Sequence, residues 1–191
     1  MTIQDGVRMM MAEQSSPGEG HVDREEHSLG PSDASVTLVE YGEFECPHCG
    51  RAHFQLKALR DRLPDLDARF VFRHLARDEV HPFSVRAAVA AEAAGAQGRF
   101  WEMHDHLFEN QHSLEYEDLE RHAAAVGLDV DRFRADMRDP RHLRTVKAQV
   151  EGATGDGITS TPTFFLNGEL YEGSYDLGSL IDAINRARAS D

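Results

Sequence analysis

YGEFECPHCG, residues 41–50, carries both cysteines of this 191-residue chain, Cys46 and Cys49. Pro47 and His48 separate them, and three carboxylates, Glu40, Glu43 and Glu45, crowd the approach. Just upstream, VTLVEY (36–41) is β-branched and apolar, with strand character. Just downstream, Ala52, Leu56, Leu59 and Leu63 recur at helical spacing until Pro64 closes the run. Pro47 suits the first turn of that helix, where its missing N–H has no partner to lose. The cysteine pair therefore sits where a strand gives way to a helix.

Three chemistries are open to such a pair. A structural disulfide across two intervening residues constrains little chain. A zinc site needs four ligands, and with no second cysteine pair histidines would have to supply the rest. The chain has 11 histidines, but His104 and His106, two residues apart, do not share a helix face. His104 and His74 read as partly buried hydrogen-bonding residues, and His53 and His122 as helix-surface side chains. The third chemistry is redox exchange, which needs a thiolate. A sulfur at a helix start faces unpaired N–H groups and the positive end of the helix dipole. That lowers the pKa expected of Cys46, and a donating or protonated His48 would lower it further. Cys49 lies one turn on, within disulfide reach and on the inward stripe, as a resolving thiol should. Glu43 and Glu45 read as solvated loop charges. Val36, Leu38 and Glu40 share one strand face, which puts a carboxylate among apolar neighbours.

Farther along, RFVFRHL (69–75) has the pattern of a second strand. From about residue 84 to 151, short helical segments follow one another, broken by Gly, Asn, Asp and Pro, without a fixed repeat period. The aromatics Phe100, Trp101, Phe108, Tyr116 and Phe133 read as the core of that block. TFFL and ELY then flank Asn167-Gly168, a strong hairpin signal, and Leu177–Arg188 forms a last amphipathic helix with Leu180, Ile181 and Ile184 as its stripe. Strand–helix–strand, a helical block, then hairpin and helix describe one α/β core with an insertion.

The net charge of −14 argues against nucleic-acid and anionic-membrane partners, because the chain's own field repels polyanions. Only two basic residues, Lys57 and Lys147, are lysines. No apolar run approaches the roughly 20 residues that span a bilayer, and VRMMMA (7–12) is too short for a signal-peptide core. These features give a cytoplasmic expectation, with no stable membrane insertion.

CPHC after a strand, with Thr161-Pro162 before a later strand and a helical block between, resembles the DsbA-like branch of the thioredoxin superfamily. The likeness runs from Gly30 to about Arg188, and VTLVEYGEFECPHCG, VFRHL, QGRFWEMHDHLF and TPTFFLNG look closest to versions appended to some bacterial sodium/proton antiporters. The resemblance implies a thioredoxin fold with an inserted helical domain: a mobile tail over 1–28, a core over 33–77 and 156–189, and an insertion over 78–155, within one domain from 29 to 191. It implies a protein disulfide oxidoreductase in which Cys46 is the nucleophile, Cys49 resolves, and Pro47 and His48 tune the pair. Pro162 falls at the family's cis-proline and Thr161 at a neighbouring tuning position, both facing the substrate. Glu40, six residues before Cys46, matches a buried acid that exchanges a proton with the resolving thiol. No dissociable cofactor and no metal are expected. The partners would be protein or peptide thiols and disulfides, with a separate recycling partner. The Pro-His dipeptide resembles that of an oxidant, whereas a cytosolic thiol pool favours a reductant or isomerase, so the direction of electron flow stays open. A peptide-binding module with incidental redox activity is the competing reading.

Overall fold

The computed structural model describes residues 27–189. Five strands form one sheet: β1 (His27–Leu29), β2 (Val36–Gly42), β3 (Ala68–His74), β4 (Thr163–Leu166) and β5 (Glu169–Tyr171), in the order β1-β3-β2-β4-β5. β2 and β3 run parallel, and the other neighbours are antiparallel. The parallel pair is joined by α1 (Pro47–Arg60), as a parallel crossover requires. Between β3 and β4 come α2 (Ser84–Gly95), α3 (Phe100–Glu109), α4 (Tyr116–Ala125), α5 (Val130–Asp136) and α6 (Pro140–Gly155); α7 (Leu177–Arg188) closes the chain. No helix among the described residues is long and apolar enough to cross a membrane.

β2 is the central strand, which explains why VTLVEYG is almost continuously apolar rather than alternating. Val36 and Leu38, with Phe70 and Phe72 of β3 and Phe164 of β4, join the large core that packs α1, α7 and the insertion helices onto one face. Val39, Tyr41, Val71 and Phe165 point the other way and are covered by Ala153, Val150 and Ile158, at and just beyond the end of α6. Phe100, Phe108 and Phe133 are core, as expected, and Trp101 packs partly buried against them.

Local chemistry sets the element ends. Asn167 and Gly168 both have positive φ, 47° and 83°, the conformation a two-residue hairpin loop with the proper twist demands. Side chains of Asp129, Asp139 and Asp176 accept backbone N–H bonds at the starts of α5, α6 and α7. α1 has Pro47 in its first turn, and Lys57 and Arg60 in its last turn complement the dipole.

Two expectations need correction here. His27 and Ser28, assigned to the tail, belong to strand β1; residues 1–26 of that tail lie outside the described residues. Three mostly polar residues carry no periodic signal, and what orders them is tertiary. The His27 ring stacks on Phe100 and its Nε2 lies 2.9 Å from Glu92 of α2, whose same carboxylate oxygen lies 3.0 Å from His74 Nε2 of β3. Burial works against ionising Glu92, but the two histidines outweigh it and hold the carboxyl well below the usual range. His53 and His122 are buried rather than on the surface: His53 packs against Phe108, and His122 Nε2 bonds the Ser113 carbonyl at 2.7 Å.

Gly30 turns the chain out of β1 at φ +96°, and a Cβ there would lie 2.5 Å from the Ala68 carbonyl oxygen. Gly30→Ala is expected to destabilise the fold by about 1–3 kcal/mol and to lower the melting temperature by several degrees. An unchanged melting curve would contradict the docking of β1 on β3.

Candidate functional site: a cysteine pair at the start of a buried helix

The site lies where β2 leaves the sheet. Cys46 is the N-cap of α1, with extended backbone (φ −71°, ψ 121°), and no side chain caps that helix end. The amides of His48 and Cys49 are therefore left facing the Cys46 sulfur. Both thiols are unbridged. The Cys46 pKa falls from 9.0 to about 4: the Cys49 thiol gives the largest stabilisation, burial opposes it, and Thr161 with the Cys49 and His48 amides adds the rest. Cys46 Sγ also lies 3.6 Å from the Thr161 carbonyl oxygen, an acceptor for the neutral thiol, whereas a thiolate takes a bond from a Thr161 donor instead. The Thr161–Pro162 peptide is cis, and both residues are half-buried.

His48 contributes to the sulfur through its backbone N–H. Its exposed ring meets Arg51, whose guanidinium donates to Nδ1 at 2.7 Å.

Cys49 is fully buried, while Cys46 keeps 5% of its surface. Burial, the Cys46 sulfur and the Glu40 carboxylate all push the Cys49 thiol well above its ordinary pKa. Glu40 is only 1% exposed, and its Oε1 has no hydrogen-bond partner. Desolvation raises its pKa to about 8; the Arg60 charge lowers it in part, and the Cys46 thiolate raises it. Gly42 leaves the room, since a Cβ there would crowd Glu40 Oε1 at 3.2 Å and the Phe72 ring at 2.5 Å. The two sulfurs and Glu40 thus titrate as one coupled group.

Glu43 and Glu45 correct a third expectation. Neither is a free loop charge. Glu43 is buried, and its Oε1 pairs with His81 Nδ1 at 2.5 Å. Burial raises its pKa against the bonds from Ser84 and His81. Glu45 accepts a bond from the Phe83 N–H at 2.7 Å. Both carboxylates face the 76–84 loop, whose place beside the cysteines has no signal in local sequence.

Behind α1 lies a charged cluster. His53, His104 and Asp105 bring one donor atom each within 4.8 Å of one another, the spacing of a metal trio. Arg60, however, holds both Asp105 oxygens at 2.7 and 2.5 Å, and His104 Nδ1 lies 3.0 Å from Oδ1. Lys57 meets Glu109 at 2.5 Å. With its carboxylates already engaged by cations, this is an internal ion-pair network. Burial lowers the His104 pKa to about 3, although Asp105 pulls the other way.

A helix-capped thiolate beside a buried thiol, on a sheet with a helical insertion, defines the thioredoxin class. The thioredoxin family pattern matches residues 23–186; the chain belongs to that family, and its architecture is DsbA-like. It is 30% identical to a thioredoxin-like oxidoreductase of Silicibacter pomeroyi, with a TM-score of 0.78 over 88% of this chain and 95% of the other. BdbD of Bacillus subtilis (22% identity, TM-score 0.74, 86% and 93% covered) and α-DsbA2 of Wolbachia pipientis (19%, 0.79, 97% and 98%) share the fold. In sequence the chain is 46% identical over 165 residues to the Na(+)/H(+) antiporter NhaA 1 of Salinispora arenicola, and 43% identical over 163 residues to the NhaA antiporter of Herminiimonas arsenicoxydans. These matches take in 86% and 85% of this chain but only 25% and 26% of the antiporters. The chain thus spans about a quarter of the length of those relatives. That share is what a DsbA-like domain appended to an antiporter would give.

Between the ordinary carboxyl range near 4.5 and about 8, folded Glu40 keeps a proton that the unfolded chain releases. Stability of the reduced chain should therefore fall as pH rises across that window. Glu40→Gln is neutral throughout. It is expected to melt several degrees above the parent at pH 8 and level with it near pH 4; equal melting at pH 8 would mean Glu40 is ionised at little cost.

Proposed function

We propose that this domain exchanges disulfides with protein or peptide partners, with Cys46 as nucleophile and Cys49 as resolving thiol. The observation that carries the reading is the opposite titration of two sulfurs one helical turn apart, one held as thiolate and the other held as thiol. In the reducing direction the Cys46 thiolate attacks a partner disulfide. One partner sulfur leaves with the electron pair of the broken S–S bond and takes a proton, and a mixed disulfide remains. Cys49 then passes its proton to the Glu40 carboxylate and attacks Cys46 Sγ. The second partner sulfur leaves as thiolate, and the Cys46–Cys49 disulfide forms with two electrons transferred to the partner. The oxidising direction is the reverse.

A thiolate this strongly stabilised favours the dithiol form of the pair, so the disulfide form is the more strongly oxidising one. That supports the oxidising direction, in which a partner thiolate attacks Cys46 and Cys46 is a good leaving group during release. An oxidant works outside a reducing thiol pool and needs an acceptor to renew its disulfide; in a cytosolic pool the same pair would rest reduced. Thr161, whose carbonyl lies 3.6 Å from Cys46 Sγ, and Pro162 after it would hold the partner chain. The cysteine pair is itself the redox carrier and needs no dissociable cofactor.

Cys49→Ala should accumulate mixed disulfides between Cys46 and partner thiols, resolved on reduction in non-reducing gels. Equilibration of the parent chain with a glutathione buffer should leave the pair mostly reduced under conditions in which an unstrained disulfide stays closed. Absence of mixed disulfides would leave a docking module, and a pair that resists reduction would reverse the direction of flow.

A further inference from the structure

The turn from Glu43 to Cys46 is gripped by a residue of the helical insertion that lies far away in sequence. Gln111, just after α3, donates from Nε2 to the carbonyl oxygens of Phe44 at 2.8 Å and of Cys46 at 2.9 Å. The Cys46 carbonyl also accepts the Gly50 N–H at 3.0 Å, the opening bond of α1. Gln111 therefore fills the second lone pair of the N-cap carbonyl and supplies a donor to Phe44 just outside the helix. A second, independent observation lies at residue 50. A Cβ there would sit 2.1 Å from Gln111 Oε1 and 2.7 Å from Cδ, and all three of its nearest neighbours are atoms of that carboxamide. Gly50 occupies a helix interior, where glycine costs about 1 kcal/mol relative to alanine. The carboxamide gives that glycine its reason.

We propose that Gln111 is a positioning residue for the Cys46 sulfur, clamping the carbonyls on both sides of residue 45 into a space kept open by Gly50. The peptide planes at Phe44 and Cys46 fix the Cys46 backbone, and that backbone aims the sulfur at the His48 and Cys49 amides. Glu45, which accepts from the Phe83 N–H, ties the intervening residue to the other side of the insertion. The helical insertion thereby holds the catalytic turn from two directions.

The consequence for activity rests on the exchange chemistry proposed above, but the test does not. In the reduced full chain, Cys46 alkylation is followed across pH, with the labelled residue assigned by mass spectrometry. Gln111→Ala, and Gln111→Met, which keeps the side-chain length, should each move the midpoint up by roughly one pH unit, the scale of one net hydrogen bond. Gly50→Ala should move it the same way in the parent chain, because it evicts the carboxamide. In the Gln111→Ala background it should do nothing, or only raise the melting temperature as a helix-favouring change. An unmoved midpoint in both Gln111 variants overturns the proposal, as does an equal Gly50→Ala effect in both backgrounds. Failure of the Cys49→Ala variant to form mixed disulfides would instead remove the exchange reading and leave this comparison intact.

Discussion

A negative charge on one sulfur, held first by the neighbouring Cys49 thiol and then by Thr161 and the backbone amides at the start of a helix, is the interaction on which the rest of this site depends. The helix offers those amides because no side chain caps it and because proline removes a donor that could not have been used. The sheet fixes where that helix begins, since β2 is paired on both sides and covered on both faces. The sulfur is thereby presented at the end of the most constrained strand in the molecule.

Around that charge, burial works in opposite directions. It opposes the Cys46 thiolate and is overcome by donors. It also opposes ionisation of Cys49 and Glu40, where few donors answer it. Reactivity is divided between chemically identical thiols by the degree of burial and by the donors within reach. Glu40 belongs to this balance as a carboxyl of raised pKa, a better proton acceptor for the Cys49 thiol than an ordinary carboxylate.

Much of this was legible in the sequence because it is local. The strand-to-helix switch at 41–50, the Asn167-Gly168 hairpin and the last helix, Leu177–Arg188, are written in contiguous patterns. The carboxylate on an otherwise apolar strand face marked Glu40 without a fold in view. The resemblance, and not spacing, pointed to Thr161 and Pro162. What stayed hidden is contact between distant segments. His27 is a strand residue because Phe100 and Glu92 receive it. Glu43 and Glu45 look solvated until the 76–84 loop is laid over them. Gln111 stands 65 residues from the carbonyl of Cys46 that it holds, and the carboxamide that Gly50 makes room for is equally remote in sequence. His53 looked like a surface residue because one helical turn says little about what packs above it.

The insertion's Glu92 carries a consequence of its own. One buried carboxylate oxygen from α2 answers both the edge strand, at His27, and the central sheet, at His74. Because both imidazoles lie on the sheet and the carboxylate on the helix, separating the helical layer from the sheet would break both contacts at once. One carboxylate oxygen thus joins the insertion to two neighbouring strands, one of which, β3, borders the strand that carries the cysteines.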